Sequence, residues 1–287
     1  MNFEFSEEQQ MLRDQARSYL TQHCPTTLVR RVLNNRETHD ADLYKGIAEM
    51  GWTATTIPEE YGGLGMSYLE LVVIAEELGR ACAPVPFSST VYLAAEAIMA
   101  LGTEAQKQAW LPKFADGTAI GCFAMGEAGG RVTPDQMSTR MQDGVLNGTK
   151  VPVADGGIAS VAIVVCASDK GDGASLALVD LSQDAVSKDS VQMIDFSRGH
   201  TELVFDGACA ETLGEEGAGW TAVESLMNTA AVLFAWEQIG IADKALEQAR
   251  EYALGRFAFG RSIASYQAIK HKLAKMYVKN TLARSNA

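Results

Sequence analysis

Several things are scarce in this sequence, and each scarcity closes off a class of function. No uncharged apolar segment reaches 18 residues, so no membrane span is expected. Lys and Arg total 24 against 36 Asp and Glu, a net charge of −12, and no basic run with interleaved aromatics occurs. That balance argues against nucleic acid or an anionic membrane as partner, and any phosphate-bearing ligand must be held by local groups. The five cysteines, Cys24, Cys82, Cys122, Cys166 and Cys209, are scattered and form no C-x-x-C pair, which fits a reducing compartment. The start, Met1 to Glu8, is acidic and lacks a signal peptide's basic end and apolar run, so a cytoplasmic protein is expected. The four histidines, His23, His39, His200 and His271, are isolated, which gives no support for a zinc site. No G-x-G-x-x-G opens a helix and no G-x-S-x-G elbow is present. Gly144 to Lys150 resembles a phosphate loop, but its glycines are too close together.

What remains is an ordinary globular composition, 47% hydrophobic and 21% charged, in a 287-residue chain long enough for two or three domains. The first third reads as helical. Ser6 with Gln9 makes a capping box, followed by Leu12, Ala16, Tyr19 and Leu20 at helical spacing. Leu43, Ile47 and Met50 form a short stripe ended by Gly51, and Leu69 to Ala81 continues the period until Pro84 and Pro86. Leu93 to Leu101 repeats it before Gly102, and Thr103 with Gln106 caps a further helix running to Pro112. Trp52 to Gly65 reads as one long structural loop.

Beyond Asp116-Gly117 the texture changes to short apolar runs split by Gly, Asp, Ser and Asn, the mark of a small β-barrel or sandwich. Expected strands are Ile120 to Met125, Gly144 to Val153, Ala159 to Ala167, Ser175 to Leu181, Val191 to Ile194 and Thr201 to Phe205. Either Asp143-Gly144 or Asn147-Gly148 should close a hairpin. After Gly219 the helical period returns. Trp220 to Phe259 has no Pro and is apolar around much of its circumference, which predicts a long, largely buried helix, with another from Ile269. The pattern is still running at Ala287, which reads as a domain that extends beyond the chain. The expected division is a helical domain over 1–117, a β domain over 118–215 and an incomplete helical domain over 216–287.

Arg256-Phe-Ala-Phe-Gly-Arg-Ser-Ile-Ala-Ser-Tyr-Gln267 concentrates a cation, aromatics and an amide in twelve residues. On an unbroken helix, eleven steps of about 100° bring Gln267 to within about 20° of Arg256 and about 16 Å along. A guanidinium fork, a flat apolar ring and an amide suit a long anionic ligand with a polar ring. The plainer alternative is a helix end. In that reading Arg256 complements the dipole, Phe259 packs inward and Gly260 stops the helix.

Helical, then β, then helical again, with Ile57-Pro-Glu-Glu-Tyr-Gly-Gly-Leu-Gly65, Glu76-Glu-Leu-Gly-Arg80 and Arg256-x-x-Phe-Gly260, the chain resembles the acyl-CoA dehydrogenases over nearly its whole length. The resemblance implies an FAD enzyme that oxidises the α,β bond of an acyl-CoA thioester. A carboxylate takes the α proton, the β hydrogen leaves as hydride, and the electrons pass to an electron-transfer flavoprotein. It also implies a dimer or a dimer of dimers. In the family, the residues matching Arg256, Phe259 and Gln267 touch the FAD of the neighbouring subunit. Home-side cofactor contacts then fall on Met125, Gly126 and Ala154.

The departures are specific. Gly126-Glu127-Ala128-Gly-Gly-Arg131-Val132 stands where the family reads Thr-Glu-Pro and a Gly, Ser and Asp turn, so a flavin-side hydroxyl has become Gly126 and a substrate-side Ser has become Val132. Pro152-Val-Ala-Asp155 stands for Trp-Ile-Thr-Asn. The usual base lies beyond this chain, or in some relatives at the position of Ala230, and Ala231 replaces a common Arg. Two readings follow. One is an FAD-dependent acyl-CoA dehydrogenase that holds its flavin by backbone contacts; the other is a non-catalytic subunit lending Arg256, Phe259 and Gln267 to a partner's FAD.

Overall fold

A computed structural model describes residues 5–130 and 132–287; the expectations resting on Met1 to Glu4 and on Arg131 lie outside the described residues. Helix α1 (Glu7–His23) starts where the sequence places it, with Ser6 and Gln9 capping each other's backbone reciprocally. Helix α2 (Thr26–Asn35) has only Val29 and Val32 buried, too thin a stripe to show as periodicity. Helix α3 (Ala41–Glu49) is capped by Asp40, and Gly51 takes the left-handed conformation just beyond it. The loop to Gly65 contains two short 3-10 turns and leads into α4 (Tyr68–Ala81).

The expected Leu93 stripe starts earlier and in a different geometry. Ser88–Ala95 is a π-helix that continues as α5 (Glu96–Leu101). A wider turn changes the register of inward positions, and Ser88, Ser89 and Thr90 all become buried. Polar residues on that inner face hid this segment from a search for apolar spacing. Helix α6 (Glu104–Ala115) has the Thr103 capping box and runs three residues past Pro112.

Ten strands follow. They are β1 (Gly121–Ala124), β2 (Arg140–Gln142), β3 (Val145–Ala154), β4 (Val161–Ala167), β5 (Ala174–Asp180), β6 (Val186–Val191), β7 (His200–Cys209), β8 (Glu211–Leu213), β9 (Phe257–Ala258) and β10 (Arg261–Ser262). The first eight form one sheet in the order β6-β7-β3-β2-β4-β5-β8, with β1 parallel to β4. Asp143-Gly144 closes the β2–β3 hairpin, both residues with positive φ, as a two-residue primed turn demands. Asn147-Gly148 instead sits inside β3 at a register shift.

The strand expected at Val191 to Ile194 is misplaced. β6 ends at Val191, and its partner on β7 runs from Phe205 opposite Val186 to His200 opposite Val191. Its Ser-Lys-Asp-Ser centre is exposed at the sheet edge, where charge discourages further pairing, and carries no apolar alternation to read. The sheet curls on itself. Val161, Ile163, Val165, Leu176 and Leu178 face one cluster with residues of the π-helix, α5 and α6. Ala162, Val164, Ala177 and Val179 face a second, closed over by Leu146, Val153, Leu203 and Phe205 of β3 and β7.

The chain forms two compact units. One comprises Thr27–Ser67 and Pro84–Ala230; the other comprises Met1–Thr26, Tyr68–Ala83 and Ala231–Ala287. Helix α7 (Gly219–Gly255) has residues in both, and α8 (Gln267–Asn286) belongs to the second. Asp172, from the β4–β5 connection, accepts from the backbone N–H groups of Trp220 and Thr221 at 3.2 and 2.8 Å, capping the start of α7 from a distance in sequence. The expectation that α7 is largely buried to Phe259 is not met. The helix stops at Gly255 and leaves Val232, Ile241, Tyr252 and Leu254 exposed, while Leu233, Trp236 and Ile239 are buried. Its apolar residues circle the helix, and the described residues leave several of them uncovered.

In that unit α4 and α7 meet backbone to backbone. A Cβ on Gly79 would lie 2.1 Å from the Glu237 carbonyl oxygen, and one on Gly240 would lie 2.0 Å from that of Glu76. The Glu76 carboxylate accepts from Arg13 at 3.1 Å and from Arg284 at 2.7 Å, tying α1, α4 and α8 together.

Candidate functional site

The loop leaving β1 carries two of the expected cofactor contacts, Met125 and Gly126, and an ion pair fixes it. Lys150 on β3 is 0% exposed, and its Nζ donates to Glu127 Oε1 at 2.8 Å and to the Met125 carbonyl at 3.1 Å. The Glu127 carboxylate also accepts from Ser138 N–H at 2.8 Å, Ser138 Oγ at 2.7 Å and Thr139 N–H at 3.1 Å. Burial pushes the Glu127 carboxyl up, but Lys150, Ser138 and Thr139 outweigh it and hold it down at about 2. Burial pulls the Lys150 ammonium below its ordinary value, and Glu127 opposes that. The pair is charged, enclosed and hydrogen-bonded on most of its valences, the condition under which a buried ion pair is tolerated.

This lock leaves a defined donor. The Gly126 carbonyl is taken by Val151 N–H at 2.9 Å, and the Gly126 N–H has no acceptor among the described residues. A Cβ there would meet the Val151 carbonyl at 2.9 Å, so the strand lies close behind the loop. A flat heterocycle with ring acceptors fits such a backbone donor without a side-chain hydroxyl. Ala154 ends β3 opposite His200 and offers backbone only.

The Arg256 to Gln267 stretch is neither an unbroken helix nor a simple helix end. After Gly255 the chain makes the β9–β10 hairpin, with Ala258 opposite Arg261 and a two-residue turn of Phe259 (φ 52) and Gly260 (φ 78). A 3-10 turn then leads into α8, which begins at Gln267. The hairpin cancels the angular relation that a continuous helix would have given Arg256 and Gln267. Phe259 does not pack inward: it is 97% exposed, and Arg256 and Gln267 are exposed as well. A bulky aromatic in left-handed conformation is costly and belongs where the structure around it insists. Here the insistence comes from Ser262 Oγ, which donates to the Ala253 carbonyl at 2.8 Å, and from Tyr266 Oη, which donates to the Ala258 carbonyl at 3.0 Å.

Arg256, Phe259 and Gln267 lie in one compact unit and Met125, Gly126 and Ala154 in the other. Ala230 is fully buried in α7 and Ala231 exposed, so neither position supplies a carboxylate or a guanidinium. Among the described residues no group of three or more His, Cys, Asp or Glu is placed to hold a metal ion. Nor is any helix among them long and apolar enough to cross a membrane.

Comparison with known proteins agrees with this architecture. Residues 6–118 match the model of the acyl-CoA dehydrogenase N-terminal domain, and residues 217–287 that of the acyl-CoA dehydrogenase C-terminal domain. Acryloyl-CoA reductase (NADH) of Anaerotignum propionicum is 31% identical over 99% of this chain and 76% of its own length. The chain belongs to the acyl-CoA dehydrogenase family. It is an oxidoreductase of that family, spanning about three quarters of the length of that relative. Among solved structures it is similar to butyryl-CoA dehydrogenase from Megasphaera elsdenii (28% identity, 99% of this chain and 79% of that one, TM-score 0.89). It is also similar to a glutaryl-CoA dehydrogenase from Mycobacterium smegmatis in complex with FADH2 (25% identity, 97% and 74%, TM-score 0.87).

Glu127 and Lys150 carry no signal of their own in the sequence: Glu127 lies between two motif positions of the acyl-CoA dehydrogenases, and Lys150 ends the Gly144 to Lys150 run, whose glycines are too close together for a phosphate loop. A lysine in an alternating strand reads as a solvent-facing residue unless its partner is known.

Proposed function

We propose that this chain is an FAD-dependent acyl-CoA dehydrogenase subunit for oxidation of the α,β bond of an acyl-CoA thioester, in which a carboxylate not found at Ala230 takes the α proton and the electrons pass to an electron-transfer flavoprotein. When bound, FAD supplies the hydride acceptor. Met125, Gly126 and Ala154 hold its ring by backbone groups, and Arg256, Phe259 and Gln267 serve an FAD across a subunit interface. The observation that carries this reading is the Glu127–Lys150 lock, which keeps the Gly126 N–H presented with no acceptor of its own. A preorganised donor of this kind recovers part of what the missing hydroxyl would have given. The proposed domains are 1–117, 118–215 and 216–287.

A second reading draws on the exposed, left-handed Phe259. In it the chain is a non-catalytic subunit that lends its hairpin to a partner's FAD. The visible spectrum of the purified protein separates the two. A flavin band near one FAD per chain, bleached by an acyl-CoA, supports the dehydrogenase reading. Protein that stays colourless alone and turns yellow only with a related chain refutes it in favour of the lending subunit.

A further inference from the structure

Asp155 follows Ala154 directly and carries a buried carboxylate oxygen without a partner among the described residues. It is 1% exposed, and its backbone is left-handed at φ 58. Its Oδ2 accepts from Ser89 Oγ, on the π-helix, at 2.6 Å. Its Oδ1 is buried with no hydrogen-bond partner among the described residues. The backbone is held on both sides: the Asp155 N–H donates to the Gly199 carbonyl at 2.9 Å, and its carbonyl accepts from Ala159 N–H at 3.0 Å. Beside it, Arg198 donates to Ser88 Oγ. One residue thus ties the end of β3, the π-helix and the approach to β7.

A buried carboxylate oxygen without a partner costs free energy, whereas the left-handed conformation is one that Asp takes more readily than most residues. That cost, maintained beside a proposed cofactor contact and against a π-helix, points to function there. We propose that Asp155 is a positioning residue which, through Ser89, fixes the peptide of Ala154 in the orientation that holds the flavin ring. This rests on the FAD reading above. Burial raises the Asp155 carboxyl above the usual range, opposed by the Ser89 hydroxyl and by the charges of Arg198, His39 and His200; Tyr44 and Cys122 also face it. The carboxyl oxygen bound to Ser89 is the part that positions. An amide oxygen can replace it, while a methyl group cannot.

The test compares wild type with Ser89→Ala, Asp155→Ala, the double variant and Asp155→Asn, using FAD titration, flavin-band circular dichroism and reduction potential. Far-UV circular dichroism and melting check the fold. Ser89→Ala and Asp155→Ala should each weaken FAD binding about tenfold, the loss expected for one hydrogen bond to a charged group. The double variant should lose little more than either single one, and Asp155→Asn should restore the wild-type dichroism. Folded Ser89→Ala with wild-type affinity, dichroism and potential would overturn the positioning role while leaving the FAD reading intact. Wild type that takes up no FAD, alone or with a related chain, overturns both. Should Asp155→Ala not fold, Ser89→Ala and Asp155→Asn decide the question between them.

Discussion

Replacing Lys150 by Met keeps the volume and removes the charge, and the structure gives the size of the effect. The ammonium is wholly buried and makes two hydrogen bonds, to Glu127 and to the Met125 carbonyl. Its loss leaves Glu127 with Ser138 and Thr139 as donors, so that carboxylate is only partly abandoned. Breaking a buried pair costs about 3–5 kcal/mol. The surviving donors place this site at the lower end of that range. Glu127→Gln with Lys150→Met removes both charges and should be milder than the sum of the single changes by about 2 kcal/mol. Urea unfolding followed by tryptophan fluorescence and far-UV circular dichroism measures the cycle. The pH dependence has a definite sign. Glu127 titrates at about 2 in the folded chain against an ordinary 4.5, so its contribution is fully present above 4.5 and is lost as pH falls through about 2. A Lys150→Met loss below about 1 kcal/mol, or coupling near zero, would refute the view that this pair anchors the loop.

Two further outcomes rest on other parts of the fold. Gly240→Ala puts a methyl 2.0 Å from the Glu76 carbonyl oxygen, so α4 and α7 must part; thermal melting should show a loss of about 3 kcal/mol or more, and a change within about 0.5 kcal/mol would contradict the close approach. Asp172→Ala strips the cap from α7 and should cost about 1–2 kcal/mol, with faster amide hydrogen exchange at Trp220 and Thr221 as the local sign.

Features decided by neighbouring residues were legible in the sequence, and features decided by distant ones were not. The Ser6–Gln9 and Thr103–Gln106 boxes and the Asp143-Gly144 turn are local contracts between backbone and side chain, and each appears where the residues place it. The π-helix escaped because its inner face is polar, and its hydroxyls find partners on other elements, Asp155 for Ser89 and Gly121 for Thr90. Edge strand β6 is defined by its pairing with β7 rather than by its own residues. At the candidate site, Arg256, Phe259 and Gln267 stood out by chemistry, but the hairpin between them did not, because Phe in a primed turn runs against local preference. The Lys150–Glu127 bond spans 23 residues, and only the fold pairs them.

The remote cap on α7 bears on the order in which the chain assembles. Asp172 precedes Trp220 by 48 residues, so the first turn of a 37-residue helix waits for the β4–β5 connection before its amide groups find their acceptor. A helix of that length can nucleate anywhere along its middle in under a microsecond or so. Its N-terminal turn instead inherits the slower clock of non-local strand pairing. Substitutions near Trp220 should therefore report on the β segment's folding rate, and those near the middle of the helix should not.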